Sequence, residues 1–87
     1  ELVSAENVDE GDNDGWTVLH YACDGGHAHV VEWLLGLGAD RDARDSNGST
    51  SLHVAASNSQ PRCVQLLLEG GAGASIATNN GWLPLHL

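Results

Sequence analysis

The sequence predicts an all-α solenoid in which helix–turn–helix units stack side by side and hairpin turns project from them. The main observation is an internal repeat. Shifted by 33 residues, "DGWTVLHYACDGGHAHVVEWLLGLGAD" aligns with "NGSTSLHVAASNSQPRCVQLLLEGGAG". The second observation is that the matched apolar residues recur at helical spacing within each copy. A period of this length is typical of stacked units that share one continuous core.

Each unit is predicted to contain two short helices. Thr17 and Thr50 precede the first helix, where a hydroxyl can accept an otherwise unpaired backbone N–H. A break at "DGG" or "SNS" follows, and Pro61 falls in the first turn of the next helix. Gly38 and Gly71 follow the second helix, where a left-handed residue is favoured. The residues predicted to occupy the repeated apolar positions are Leu19, Ala22, Cys23, Val30, Val31, Leu34 and Leu35, then Leu52, Ala55, Ala56, Cys63, Val64, Leu67 and Leu68.

These motifs resemble the ankyrin repeat, whose pattern runs G-x-T-P-L-H-x-A-A-x-x-G-H-x-x-V-V-x-L-L-L-x-x-G-A-D. The segments "NGWLPLHL" and "ELVSAENVDEG" extend the resemblance in both directions, with His86 and Leu2 in register. The resemblance implies four segments: the acidic end of a degenerate preceding repeat (1–13), two full repeats (14–46 and 47–79) and the start of a truncated repeat (80–87).

The second repeat departs from the family pattern more than the first. Ser51 replaces the proline that follows the capping threonine, and Val18 does so in the first repeat. Ser59 and Gln60 stand where the family has Gly-His. We therefore expect a looser second repeat with an unchanged fold.

The chain is strongly acidic, with a formal net charge of -9 over 87 residues. Six acids lie within the first 14 residues, and this segment should repel phosphate backbones, so we expect no nucleic-acid partner. No apolar run approaches the ~20 residues of a membrane span, and no signal pattern is present. Two cysteines do not make a disulfide framework. An intracellular, cytoplasmic setting is expected.

The stretch "EGDNDGWTVLH" has two interpretations. Glu10, Asp12 and Asp14 match the first half of an EF-hand calcium loop, with Gly15 at the glycine position. The twelfth position is Tyr21, which lacks the required carboxylate, so we favour a turn at Asp14-Gly15 with the remaining acids solvated or attracting a basic partner.

The remaining polar motifs are also better explained as positions of the repeat than as catalytic or metal-binding groups. His20, Cys23 and His27 could be metal ligands, but His20 recurs as His53 and Cys23 occupies the small-residue position of Ala56. The resemblance implies that this repeated histidine joins neighbouring loops by hydrogen bonds. No nucleophile lies in a strand–turn–helix context, so we expect no enzyme activity, no bound metal and no cofactor.

The expected function is protein–protein interaction. By the resemblance, partners contact the turn tips and the first-helix face. Trp16 and Trp82 either anchor such an interface or pack on the next turn, whereas Trp33 is expected to pack on a helix surface. The predicted partner-binding residues are Asn13, Asp14, Trp16, Asp24, Gly25, Ser46, Asn47, Ser49, Ser57, Asn58, Asn79, Asn80 and Trp82.

A basic segment of a partner would suit the aspartates along this rim. Two other functions remain open: an architectural or self-associating element, and a regulatory segment attached to an enzyme or channel. Because stable stacking generally needs at least three repeats, we expect the chain to belong to a longer array, or a second chain to cover its open ends. Leu85 and Leu87 are among the apolar residues that such a neighbour would cover.

Overall fold

A computed structural model describes residues 3–85, and this part of the chain contains four helices and no strand. The helices are α1 (Val18–Asp24), α2 (Ala28–Gly36), α3 (Ser51–Ser57) and α4 (Pro61–Glu69). Within each predicted repeat the two helices pack together, and across the repeats α1 packs beside α3 and α2 beside α4. The predicted all-α solenoid of stacked helix pairs is confirmed.

Each first helix begins at a reciprocal capping box, which explains why both copies start at the same position of the repeat. The Thr17 hydroxyl accepts from the His20 backbone N–H at 3.4 Å, and the Thr17 N–H donates to His20 Nδ1 at 3.1 Å. Thr50 and His53 make the same pair of bonds. Both predicted N-caps are therefore confirmed, and each satisfies backbone donors that the first turn leaves unpaired.

The turns depend on left-handed residues. Gly48 has φ 79° and lies against the next hairpin, where an added Cβ would stand 2.9 Å from the Asn79 backbone N. A side chain there would therefore displace a neighbouring repeat. Ser59, at φ 56°, holds the conformation that Gly26 adopts in the first repeat at φ 70°. A left-handed conformation at serine lowers the stability of the fold by about 1–2 kcal/mol relative to glycine. The second repeat therefore keeps the geometry of the first but is less stable at this turn.

The core consists of the aliphatic residues that the two repeats share. Leu19 and Leu34 of the first repeat are fully buried, as are Leu52 and Leu67 of the second. The small Cys23 is fully buried in the same cluster. Full burial of each leucine stabilises the fold by roughly 1.5–3 kcal/mol.

Two residues at the repeated apolar positions are exposed, contrary to the sequence pattern. Val30 is 43% exposed, although its counterpart Cys63 is fully buried. Leu68 is 40% exposed, although its counterpart Leu35 packs against the core. The reason is position in the stack, since within residues 3–85 these side chains lie at the outer ends of the two helix pairs. Leu85 is also exposed, whereas Leu2, His86 and Leu87 lie outside the described residues.

Hydrogen bonds that recur at the repeat interval connect the successive hairpins. The Ser46 N–H donates to the Asp14 carbonyl at 2.9 Å, and the Asn79 N–H donates to the Asn47 carbonyl at 2.9 Å. These pairings fix each projecting turn against its neighbour, so that the row of turns forms one continuous edge.

The acidic segment before the first helix is part of this repeated arrangement. The Asp9 carboxylate accepts from the Asp40 N–H at 2.7 Å, as Asp42 accepts from the Gly73 N–H at 2.8 Å one repeat later. Val8 is buried in the core. The segment therefore makes a side-chain bond to the following turn that recurs one repeat later.

Candidate protein-binding groove

A groove of about 580 Å³ runs between the projecting turns and the exposed ends of α1 and α3. Because it spans both full repeats and the first residues of the next unit, it exists only when the repeats are stacked. Its lining residues are Trp16, Asp24, Asp45, Asn47, Ser49, His53, Val54, Ala56, Ser57, Asn58, Thr78, Trp82, Leu83 and Pro84.

The turns that form one wall of the groove are held by the same side-chain bond in every repeat. A polar side chain at the base of the turn accepts a hydrogen bond from the backbone N–H four residues further on, an arrangement that replaces a backbone turn bond. The pairs are Asp12 with Trp16 (3.0 Å), Asp45 with Ser49 (2.9 Å) and Thr78 with Trp82 (3.1 Å).

The repeated histidines join the helices of one repeat to the turn of the next. His20 Nε2 donates to the Ser49 carbonyl at 3.0 Å, and His53 Nε2 donates to the Trp82 carbonyl at 2.9 Å. The donor is Nε2 because Nδ1 already accepts the threonine N–H in the capping box. Both ring nitrogens are therefore engaged in structural bonds, in agreement with the role that the resemblance implied.

The other groups considered for chemistry lie in structural positions as well. Burial raises the pKa of the Cys23 thiol to about 12, and burial also raises the pKa of the Cys63 thiol. Neither sulfur supplies a thiolate near neutral pH. Within residues 3–85, no three His, Cys, Asp or Glu side chains are grouped closely enough to hold a metal ion.

Asp12 shows which interpretation of the acidic stretch fits the structure. Its carboxylate accepts hydrogen bonds from the Tyr21 hydroxyl and from the backbone N–H groups of Trp16 and Asp14. The Tyr21 bond, together with those N–H groups, lowers the pKa of Asp12, and the same bond raises the pKa of Tyr21. Oδ1 is thus occupied by the turn and Oδ2 by Tyr21 of α1. The turn is present, but Asp12 is bonded within the chain and not simply solvated as that interpretation expected.

The two turn tryptophans differ in their packing. Trp16 lies partly in the core, its Nε1–H donates to Asp45 Oδ2 at 2.9 Å, and its ring meets that of Tyr21 edge-on at 4.9 Å. It therefore packs on the next turn, one of the two alternatives for this position. Trp82 is 61% exposed. Trp33, expected to pack on a helix surface, is also 46% exposed on α2.

The groove includes about half of the residues that the sequence predicts for partner binding. The structure places Trp16, Asp24, Asn47, Ser49, Ser57, Asn58 and Trp82 along it. The remaining predicted residues lie outside the groove lining. Gly25 is the C-cap of α1, and the others lie in the projecting turns: Asn13, Asp14, Ser46, Asn79 and Asn80.

Several lining residues were missed by sequence reasoning. Val54 and Ala56 form the floor on α3, and Pro84 and Leu83 close one end. The register assigned Ala56 to the core and gave Val54 no role. Apolar residues on a first helix look alike in the sequence whether they face the second helix or the groove. Asp45 could have been identified from the sequence, because an aspartate also occupies the equivalent position one repeat earlier, at Asp12.

The fold and the groove define a repeat protein built from stacked helix pairs that present an edge of turns. The family model described as "Ankyrin repeats (3 copies)" matches residues 29–87, and that described as "Ankyrin repeats (many copies)" matches residues 2–52. The chain belongs to the ankyrin repeat family.

The similar curated proteins match one part of the chain each. Protein phosphatase 1 regulatory subunit 27 of Mus musculus is 46% identical over 37 residues, which are 42% of this chain and 24% of that protein; the Homo sapiens protein gives the same figures. Ankyrin repeat domain-containing protein 40 of Mus musculus is 55% identical over 29 residues, 33% of this chain and 8% of its own length. The matched stretches thus span a quarter or less of these relatives.

Proposed function

We propose that this chain is a non-catalytic protein-binding module whose binding surface is the groove. Ankyrin repeats generally mediate protein–protein interaction. The observation that carries the proposal here is the groove itself, a concave surface held between turns and helix ends by hydrogen bonds that recur from repeat to repeat. A surface fixed in this way does not have to be ordered when a partner binds, which lowers the entropic cost of association.

The partner is proposed to be a protein with a basic segment. Asp24 and Asp45 line the groove, and none of the three arginines does. The net charge of -9 adds a long-range field that attracts cations and repels nucleic acids. None of the helices within residues 3–85 has the length and apolar character needed to span a bilayer. We place the protein inside the cell, where its two free cysteines suit a reducing compartment.

A regulatory, architectural or self-associating role is the second candidate. It is supported by apolar side chains at the ends of the stack, where Val30 and Trp33 are exposed on α2 and Leu68 and Leu85 at the other end. The name of Protein phosphatase 1 regulatory subunit 27 shows that one relative regulates an enzyme. Oligomers that persist on dilution, measured by sedimentation equilibrium, would favour self-association over groove binding.

The groove proposal is tested by replacing one exposed tryptophan at a time. Proteins captured by the wild-type chain are identified, and the dissociation constant of a purified interactor is measured by calorimetry. Trp82→Ala should weaken binding about 30-fold, because an exposed tryptophan on a rigid backbone contributes roughly 2 kcal/mol at an interface. The backbone bonds of Trp82 remain in this variant, so circular dichroism should be unchanged.

Trp33→Ala is the matched control, since Trp33 is comparably exposed but lies on α2, away from the groove. Its dissociation constant should equal that of the wild type. Binding that survives Trp82→Ala and is lost in Trp33→Ala would place the interface on the second helices and contradict the proposal.

A further inference from the structure

The groove differs in chemistry from one end to the other. At the first-repeat end, Asp24 lies exposed at the last residue of α1. At the opposite end, Trp82 and Leu83 are exposed beside Pro84. The two ends therefore suit different side chains of a bound segment.

The two groove aspartates have different hydrogen-bond partners. Both Asp45 oxygens are occupied: Oδ1 accepts from the Asn47 and Ser49 N–H groups, and Oδ2 accepts from Trp16 Nε1. The Asp24 carboxylate accepts one amide hydrogen bond, from Asn58 Nδ2 to Oδ1 at 2.6 Å. Asp45 thus holds the turn, whereas Asp24 keeps acceptor capacity directed at solvent.

Asp24 is also held in place without a cation of its own. The Gln60 side chain donates to the Asp24 backbone carbonyl at 3.3 Å, and Asn58 orients the carboxylate. Within residues 3–85, the one close contact between a carboxylate and a basic side chain joins Glu32 to His29, so no arginine neutralises Asp24. An oriented carboxylate that lacks a cationic partner is complementary to an arginine or lysine supplied by another molecule.

The other end of the groove offers an apolar surface on a fixed backbone. The Trp82 N–H donates to Thr78 Oγ1 at 3.1 Å, and its carbonyl accepts from His53 at 2.9 Å. Val54 and Ala56 continue this surface along the floor. Such an arrangement suits an aliphatic or aromatic side chain, because the tryptophan supplies contact area at little cost in conformational entropy.

We propose that the groove binds an extended protein segment that places an arginine or lysine against Asp24 and an apolar side chain against Trp82. This inference rests on the proposed function and adds to it the two-part motif of the partner. The negative charge of Asp24 favours a basic residue in the partner. Because Asp24 and Trp82 lie at opposite ends of the groove, the basic and the apolar side chain of the bound segment must be separated along its sequence.

The test is a phage display of random short peptides on the immobilised 87-residue chain. Enriched peptides should share a basic residue at a fixed separation from an apolar one. Asp24→Asn should weaken a selected peptide about fivefold, as expected for a partly exposed ion pair, and should abolish the enrichment of basic residues in a repeated selection. The asparagine keeps the Oδ1 acceptor for Asn58, so the fold is preserved.

Glu32→Gln is the matched control, because it removes one negative charge on α2 outside the groove. Its affinity should equal that of the wild type. Enriched peptides that lack basic residues but lose binding in Trp82→Ala would overturn the two-part motif and leave the groove function intact. Failure to enrich any peptide, or binding that no groove variant affects, would overturn both.

Discussion

We expect Leu67→Ala to reduce the free energy of unfolding by about 3 kcal/mol. Leu67 is fully buried in the second helix of the second repeat, and its truncation leaves a cavity that the surrounding helices fill incompletely. A chain of 87 residues has a total stability of roughly 4–13 kcal/mol, so the loss is a large part of it. Urea denaturation followed by circular dichroism measures the change.

Leu68→Ala is the control for this prediction, because it makes the same chemical change one residue further along α4. Leu68 is exposed in the described part of the chain, and its truncation should cost less than about 1 kcal/mol. Equal losses in the two variants would show that α4 does not pack on the core through the face assigned here.

His20→Ala is expected to destabilise the chain by a comparable amount, about 3 kcal/mol. The ring is buried, receives the Thr17 N–H at Nδ1 and donates from Nε2 to the Ser49 carbonyl of the next turn. Its removal eliminates part of a helix cap, leaves a carbonyl without its donor and opens a cavity between repeats. Chemical denaturation gives the magnitude, and the Ser49 amide resonance reports the local change at the turn.

His29→Ala provides the comparison, since this side chain is fully exposed and meets only Glu32, at 3.6 Å. Its stability should stay within about 0.5 kcal/mol of the wild type. If His20→Ala were as mild as His29→Ala, the repeated histidine would not connect the repeats, and the rigidity of the groove would need another source.

The sequence was sufficient to predict those parts of the fold that depend on local chemistry or on exact repetition. The capping threonines and the left-handed glycines after the second helices are set by backbone requirements that act within a few residues. The buried leucines follow from repetition, because a residue that packs between helices in one unit does so in the next.

Environments that depend on neighbouring units could not be predicted in this way. A shift of 33 residues makes Val30 equivalent to Cys63, yet one is exposed and the other buried, since their neighbours in the stack differ. Trp16 and Trp82 are likewise equivalent in register. Trp16 lies against Asp45 of the following turn, whereas Trp82 is the more exposed of the two and lies at the last turn within residues 3–85.

The candidate site was predicted only in part for the same reason. The turn and helix-end positions were identified from the repeat, but the floor at Val54 and the wall at Asp45 become visible only when two repeats and the next turn are assembled. A groove is a property of the stack, and the pattern within one unit does not distinguish a groove-facing apolar residue from a core residue.

The indole N–H signals of the three tryptophans test most directly whether the groove is the binding surface. In a ¹⁵N-labelled chain titrated with a bound peptide or purified partner, the account predicts that the Trp82 signal shifts and that the Trp33 signal on α2 stays in place. The Trp16 indole, bonded to Asp45 at the groove wall, should shift less than that of Trp82. A shift of the Trp33 signal with an unchanged Trp82 signal would contradict the account.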